Sequence, residues 1–359
     1  MVEGSATGDD EATLSWRRTV LATLRGDRSA AILAGLGVIL VALMAAAISI
    51  GQFPLSLTDM AGALWRALTG KTAQGQADTV LLSIRLPRVL AAVLVGAALA
   101  AAGAAYQGLF RNPLVSPDIL GVSTGAGLGA VLGIFLSLPV VGIQLFAFAG
   151  GLATVVLVYF VGSLVRNREP ILVLVLAGVI VGSLAGAAIS LLKILADPYD
   201  QLPAIVFWLL GSLASVRAQE VWSAAPLVLA GLIPLVLLRW RINVLSLGDE
   251  EAKALGVEAG RLRLIVIGAA TLMTASVVAV AGVIGWIGLV IPHLARMLVG
   301  PNFNRLLPAA LLMGGGYMLL IDTLARTIAA IEIPLGVLTA IIGAPFFLWL
   351  LARGQEGWS

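Results

Sequence analysis

The sequence predicts an all-α, polytopic membrane protein with about ten transmembrane helices. Three observations lead there. Hydrophobic residues make up 60% of the 359 and charged residues only 11%, a mean hydropathy of +1.05. Apolar runs near 20 residues recur along almost the whole length, each long enough to cross a hydrocarbon core of about 30 Å. The 41 glycines, with many alanines, suit helices that pack closely through small residues. A barrel would instead show alternating segments of about 10 residues.

Residues 1–29 are polar and mixed in charge, and read as a cytoplasmic tail. The run 30–50 is long for a signal-peptide core and follows a long acidic leader, so it reads as the first span. Residues 51–84 form a polar connection, followed by spans at 86–108, 119–137, 141–165 and 170–193. Gly121 and Gly125, Gly129 and Gly133, and Gly178, Gly182 and Gly186 repeat at four-residue spacing, which predicts tight packing within the chain. The apolar stretch from Leu202 to Leu213 is too short to span and is expected to lie at the outer surface. Spans at 222–240, 262–283, 285–299, 306–326 and 334–352 complete the set, and 285–299 is the weakest, being short and carrying Pro292, His293 and Arg296. The organisation is therefore a tail (1–29), a transmembrane domain (30–353) with a cytoplasmic loop at 241–263, and a C-terminal tail (354–359).

With both termini cytoplasmic, 15 of the 22 Lys and Arg residues fall on the cytoplasmic side and 7 outside, the usual bias. Arg85 and Arg88, in Arg85-Leu86-Pro87-Arg88, sit on the outer side against that bias, and Arg326 joins them from a distant helix. Asp322 and Arg326 lie four apart on one helix face and can pair.

Enzyme and cofactor chemistry finds little to work with. There is no cysteine, so disulfides, thiolate metal sites and cysteine nucleophiles are excluded. His293 is the only histidine and lacks the further ligands a transition metal would want; it reads as a capping or packing residue. Gly70-Lys71-Thr72 looks like the end of a phosphate-binding loop, but Trp65 stands where that loop needs glycine. No cofactor and no nucleic-acid partner are expected, and ATP is not bound through such a loop. Carboxylates inside spans are scarce, which disfavours the rival reading of an ion-gradient carrier.

Two cytoplasmic features stand out. In the turn Phe110 to Asp118, Pro113 and Pro117 stop the preceding helix, and Asp118 can cap the next, making a rigid elbow. In the loop 241–263, Gly248 and Gly256 bracket a short helix, Asp249-Glu250-Glu251-Ala252-Lys253-Ala254-Leu255. Acids at its start favour the helix dipole, Ala252 and Leu255 can share a face, and a helix this short needs a surface to dock on.

These residues carry a resemblance. Arg85-Leu86-Pro87-Arg88, Gly103, Gln107, Asn112-Pro113-Leu114, Leu120-Gly121-Val122-Ser123, Leu176-Ala177-Gly178, Gly285 to His293, Asp322 to Arg326, Pro334-Leu335-Gly336 and Gly343-Ala344-Pro345 resemble the FecCD-type permeases. These are membrane subunits of binding-protein-dependent ABC importers for ferric siderophores, haem and cobalamin. The resemblance runs from about 30 to 353 and implies the type II ABC importer permease fold in a bacterial cytoplasmic membrane. It implies a permease pair, two ATP-binding subunits below and an extracytoplasmic substrate-binding protein above. It assigns docking of that protein to Arg85, Arg88 and Arg326, a cytoplasmic gate to Asn112, Pro113 and Leu114, and ATPase coupling to the segment from Gly248 to Gly256. A second family gate uses small hydroxyl residues where Ile171 and Leu172 stand here, a departure that weakens the case for cobalamin as cargo.

Overall fold

The structure, a computed structural model, describes residues 8–352 apart from 52, 54, 70–74 and 166–169. The phosphate-loop look-alike at 70–72 lies outside the described residues. Helix α1 (Gly8–Ser49) runs without a break, so the polar tail and the first span share one helix. The connection after it is more ordered than its polar sequence suggests. Helix α2 (Leu57–Leu68) starts at a capping box between Ser56 and Asp59. Helix α3 (Gln76–Thr79) passes through a π-helical turn at Val80–Arg85 into α4 (Leu86–Phe110).

Past the elbow, a 3-10 turn (Pro117–Leu120) leads to α5 (Val122–Phe135), α6 (Val140–Leu164) and α7 (Pro170–Leu195). The short apolar stretch forms α8 (Gln201–Leu210), and α9 (Ala218–Leu237) follows. The loop expected at 241–263 holds α10 (Arg239–Leu245), α11 (Asp249–Ala254) and the start of α12 (Ala259–Ala281). The chain ends in α13 (Ile287–Val299), α14 (Phe303–Ala325) and α15 (Leu335–Ala352).

All ten expected spans coincide with a helix, but not all are complete membrane crossings. Among the described residues seven helices are long and apolar enough to cross a membrane; α5, α13 and α15 are shorter apolar helices. At 14 and 13 residues, α5 and α13 rise only about 20 Å. Irregular backbone extends each of them, residues 111–121 before α5 and 282–286 before α13. Such backbone survives at membrane depth only where protein satisfies its polar groups. Ser212 donates its N–H to Ala281 O (2.9 Å) and Leu335 donates to Gly211 O (3.0 Å), which ties the turn after α8 to the end of α12 and the start of α15.

The centre is α4 wrapped by α12, α13 and α14. In α4 and α12, 78% and 72% of the most apolar window is buried, against 6% in α1. Small residues permit this. A Cβ on Gly96 would sit 2.1 Å from Gly314 O, and one on Gly103 would sit 2.0 Å from Gly288 O, so the backbones of α4, α14 and α13 touch. The four-residue glycine repeats divide. A Cβ on Gly129 would meet Phe146 O of α6 at 2.0 Å, and one on Gly178 would meet Ile119 O at 2.1 Å, whereas Gly182 and Gly186 face open space. Internal packing therefore accounts for α5 and the start of α7 only.

Candidate functional site

Helix α4 joins two unusual ends. Its 25 residues span about 37 Å. Arg85 and Arg88 stand at its start, and Asn112 and Pro113 follow its last turn.

At the arginine end the structure brings Arg85, Arg88 and Arg326 together, and gives each an internal partner. The Arg88 Nε donates to both oxygens of Asp322 (2.9 and 3.1 Å), while its Nη1 and Nη2 hold the two oxygens of Glu332 (2.7 and 3.0 Å). Arg85 donates to the carbonyls of Ile48 (2.7 Å), Ser49 (3.1 Å) and Phe53. Arg326 donates to the carbonyls of Ala47 and Ile50, and its Nε lies 3.7 Å from Asp322. The pairing of Asp322 with Arg326 is thus present but looser than that with Arg88. The carbonyls of Ala47, Ile48 and Ser49 belong to the last turn of α1, whose C=O groups lack helical partners and attract cations, and those of Ile50 and Phe53 follow it. The cluster therefore ties α1, α4, α14 and the segment 328–334 into one cap. Three guanidiniums against two carboxylates leave it one positive charge. Asp322 is 1% exposed, Arg85 6% and Arg88 9%. A second pair, Arg66 to Asp78 (Nε–Oδ2 2.9 Å), joins α2 to α3 beside it.

At the elbow end, Arg111 closes α4 in a left-handed conformation (φ 50°), a cost a non-glycine residue bears only where its surroundings impose it. The Asn112 Oδ1 accepts the N–H of Leu114 (2.9 Å), Pro113 is half-buried, and Leu114 is 42% exposed. Asp118 does not cap the backbone of α5 as expected. It accepts the hydroxyl of Ser123, and Gly121 forms the N-cap. Gly121-Val122-Ser123-Thr124-Gly125 has the spacing of a serine-hydrolase elbow, yet the Ser123 hydroxyl donates to the Asp118 carboxylate, and histidine, the usual base, is not its partner.

Helix α11 lies beside the elbow. Gly248 (φ 144°) and Gly256 (φ 77°) bracket it as expected, and both take positive φ that suits glycine. Asp249 pairs with Arg263 of α12. Ala252 is fully buried and Leu255 is 55% exposed, so the two do not share a face; Ala252 anchors the helix and Leu255 projects. Glu250, Glu251, Lys253 and Ala254 complete it. The Arg111 guanidinium sits near Gly248, 3.6 Å from where its Cβ would be, so the elbow and α11 are neighbours.

The match to known proteins is continuous over this architecture. The model of the FecCD transport family matches residues 39–353. The chain belongs to the FecCD transport family. Its members are membrane-spanning permease subunits of ABC importers for metal chelates, a family without an ATPase site of its own. The molybdate import system permease protein MolB of Haemophilus influenzae is 42% identical over 327 residues, covering 91% of this chain and 96% of that one. The Fe(3+)-citrate import system permease protein YfmE of Bacillus subtilis is 44% identical over 278 residues, covering 76% and 82%. Among solved structures, an inward-facing conformation of a metal-chelate type ABC transporter superposes with a TM-score of 0.81 at 41% identity, over 90% of this chain and 99% of that one.

Within the FecCD frame the irregular segments gain meaning. The unwound stretch 282–286, with Trp286 at φ 70°, and the elbow at 111–117 are two breaks in otherwise helical walls. Sequence reasoning found the elbow through its prolines. It missed Glu332 as a partner of Arg88, because 244 residues separate them and no local pattern links them.

Proposed function

We propose that this FecCD permease imports a ferric siderophore or a similar metal chelate. An extracytoplasmic binding protein delivers the cargo, two separate ATP-binding subunits supply the free energy, and a second permease completes the pathway. The single observation that carries this reading is the span of α4, the most buried helix, from an arginine cluster at one end to a proline elbow beside α11 at the other. Both termini face the cytoplasm in this reading, which puts the arginine cluster outside the bacterial cytoplasmic membrane.

Arg85, Arg88 and Arg326 form the dock for acidic groups of the binding protein. Their internal partners refine this role: an incoming carboxylate would replace Glu332, the more exposed acid, at Arg88. Charges near a surface steer and orient a partner more than they add affinity. Reversal to glutamate at Arg85 and Arg88 should weaken binding-protein-stimulated transport, with partial rescue by compensating reversal on the partner. Docking unchanged by reversal would sink the assignment.

Asn112, Pro113 and Leu114 act as the cytoplasmic gate, and the segment Gly248 to Gly256 couples it to the ATPase through the exposed Leu255. ATP-driven closure below would shift the population between inward-open and outward-open states. Leu255→Asp should then leave ATP hydrolysis running while uptake falls. The open face of α7, with Gly182, Gly186 and the self-bonded hydroxyls of Ser183 and Ser190, suits a wide pathway lined by small groups. An uptake panel of ferric siderophores, haem, cobalamin and molybdate identifies the cargo, the last because a molybdate permease is so similar. Accumulation without ATP or a binding protein would overturn the import reading in favour of an ion-gradient carrier.

A further inference from the structure

We propose that the cavity at the elbow end is a binding site for a phosphate-class oxyanion. The cavity measures about 610 Å³ and lies between the last turn of α4, α10, α13 and the start of α14. Its ionisable lining is entirely basic: Arg111, His293 and Arg296, with no Asp or Glu in the wall.

The hydrogen-bond inventory sharpens this. Arg296 spends one bond, from Nη2 to Gln107 Oε1 (3.0 Å), and no carboxylate pairs with it among the described residues. A guanidinium carries five N–H donors, so most of its capacity stays available. Gln107 accepts that bond on Oε1 and donates one of its two Nε2 N–H groups to Leu289 O (3.1 Å), which fixes its orientation. Asn112 has given its acceptor to the Leu114 N–H, which leaves its amide N–H groups for the cavity. Arg111 forms no ion pair among the described residues, although Glu251 Oε2 and Arg111 Nη1 lie beside the same point at Gly248, 2.1 and 3.6 Å from where a Cβ would stand. The unspent groups are therefore donors, two of them cationic.

A partly buried guanidinium without a counter-charge is costly, and an oxyanion accepting bidentate, charge-assisted bonds offsets that cost. A cation would find no acid in this wall and two guanidiniums to repel it, and an apolar ligand would strand the donors. The volume leaves room for a hydrated phosphate or a phosphate ester. A second cavity of about 400 Å³ shares Met297 and Pro301 with the first and adds Arg28 and Arg305, so the basic lining continues toward α1. Free phosphate and a lipid phosphate are the two sources of the same chemistry. A ligand held between Arg296 of α13 and Asn112 of the elbow would brace the gate segment against the core.

The test needs no transport, so it stands apart from the import reading. The full-length chain is placed in zwitterionic phosphatidylcholine nanodiscs and titrated with inorganic phosphate at constant ionic strength set by chloride. Saturable binding is expected, weakened about tenfold or more by Arg296→Gln, the loss of a charge-assisted contact. Arg111→Gln, at an exposed position, should act in the same direction and covers the case that the Arg296 variant misfolds. Arg66→Gln, at the far end, should leave binding unchanged. In parallel, native mass spectrometry counts phosphatidylglycerol retained from mixed nanodiscs by the same variants. A variant-sensitive response in the second arm alone assigns the site to a lipid phosphate. No saturable phosphate binding together with no phosphatidylglycerol preference, or binding indifferent to both cavity variants, overturns the proposal.

Discussion

The two ends of α4 handle positive charge in opposite ways. At the arginine end every guanidinium has been given acids or carbonyls of its own chain, so the cluster is a structural cap with one surplus charge. At the elbow end Arg296 is half-buried, and the side chain it bonds is a neutral amide. The difference teaches that a basic residue in a membrane protein is interpreted by its partner inventory and not by its location. The cap holds α1, α4 and α14 in place and leaves Glu332 as the exchangeable member. The cavity holds donors in reserve.

The largest expected effect falls on the cap. Asp322→Ala removes the carboxylate shared by Arg88 and Arg326, and breaking a buried pair of this kind costs about 3–5 kcal/mol. Thermal unfolding in nanodiscs should show it as a large drop in Tm, whereas Arg296→Gln in ligand-free protein should move Tm little, because no ion pair is lost. Equal effects at both ends would erase the comparison. An intermediate effect is expected at the helix crossing both ends depend on. Gly96→Ala drives a methyl into Gly314 O, an overpacking cost of about 1–3 kcal/mol, while Gly182→Ala enters open space and should be tolerated or slightly stabilising. The smallest effect is Glu332→Gln. Its side chain is 38% exposed, and such pairs are worth about 0–1 kcal/mol. Stability should barely change, while the arginine cluster gains net positive charge and captures an acidic partner faster at low salt. A drop in Tm as large as that of Asp322→Ala would make Glu332 part of the cap and not its exchangeable member.

Much of this was legible in the chain. The ten apolar runs locate their helices because length and hydropathy act locally. Pro113 and Pro117 announce the elbow, and Gly248 and Gly256 frame α11 through backbone conformations written into those residues. What was not legible depends on distant neighbours. That Leu255 projects while Ala252 is buried follows from where α10 and α12 lie. The irregular backbone next to α13 is held by bonds across the fold, from Ser212 to Ala281 and from Leu335 to Gly211, which no local pattern announces. Helix α2 did carry a signal, the Ser56 and Asp59 capping box, hidden inside a stretch that reads as polar connection. The basic cavity has no sequence signature, since its wall draws on four helices.

The central claim is that this chain carries cargo only when coupled to an ATPase and supplied by a binding protein. Proteoliposomes containing the permease with its ATPase subunits test it most directly, with radiolabelled ferric siderophore presented on the binding protein. The account predicts accumulation that requires both ATP inside and the binding protein outside, and that falls sharply when Arg85, Arg88 and Arg326 are reversed together. Accumulation driven by an ion gradient with the ATPase absent would contradict it.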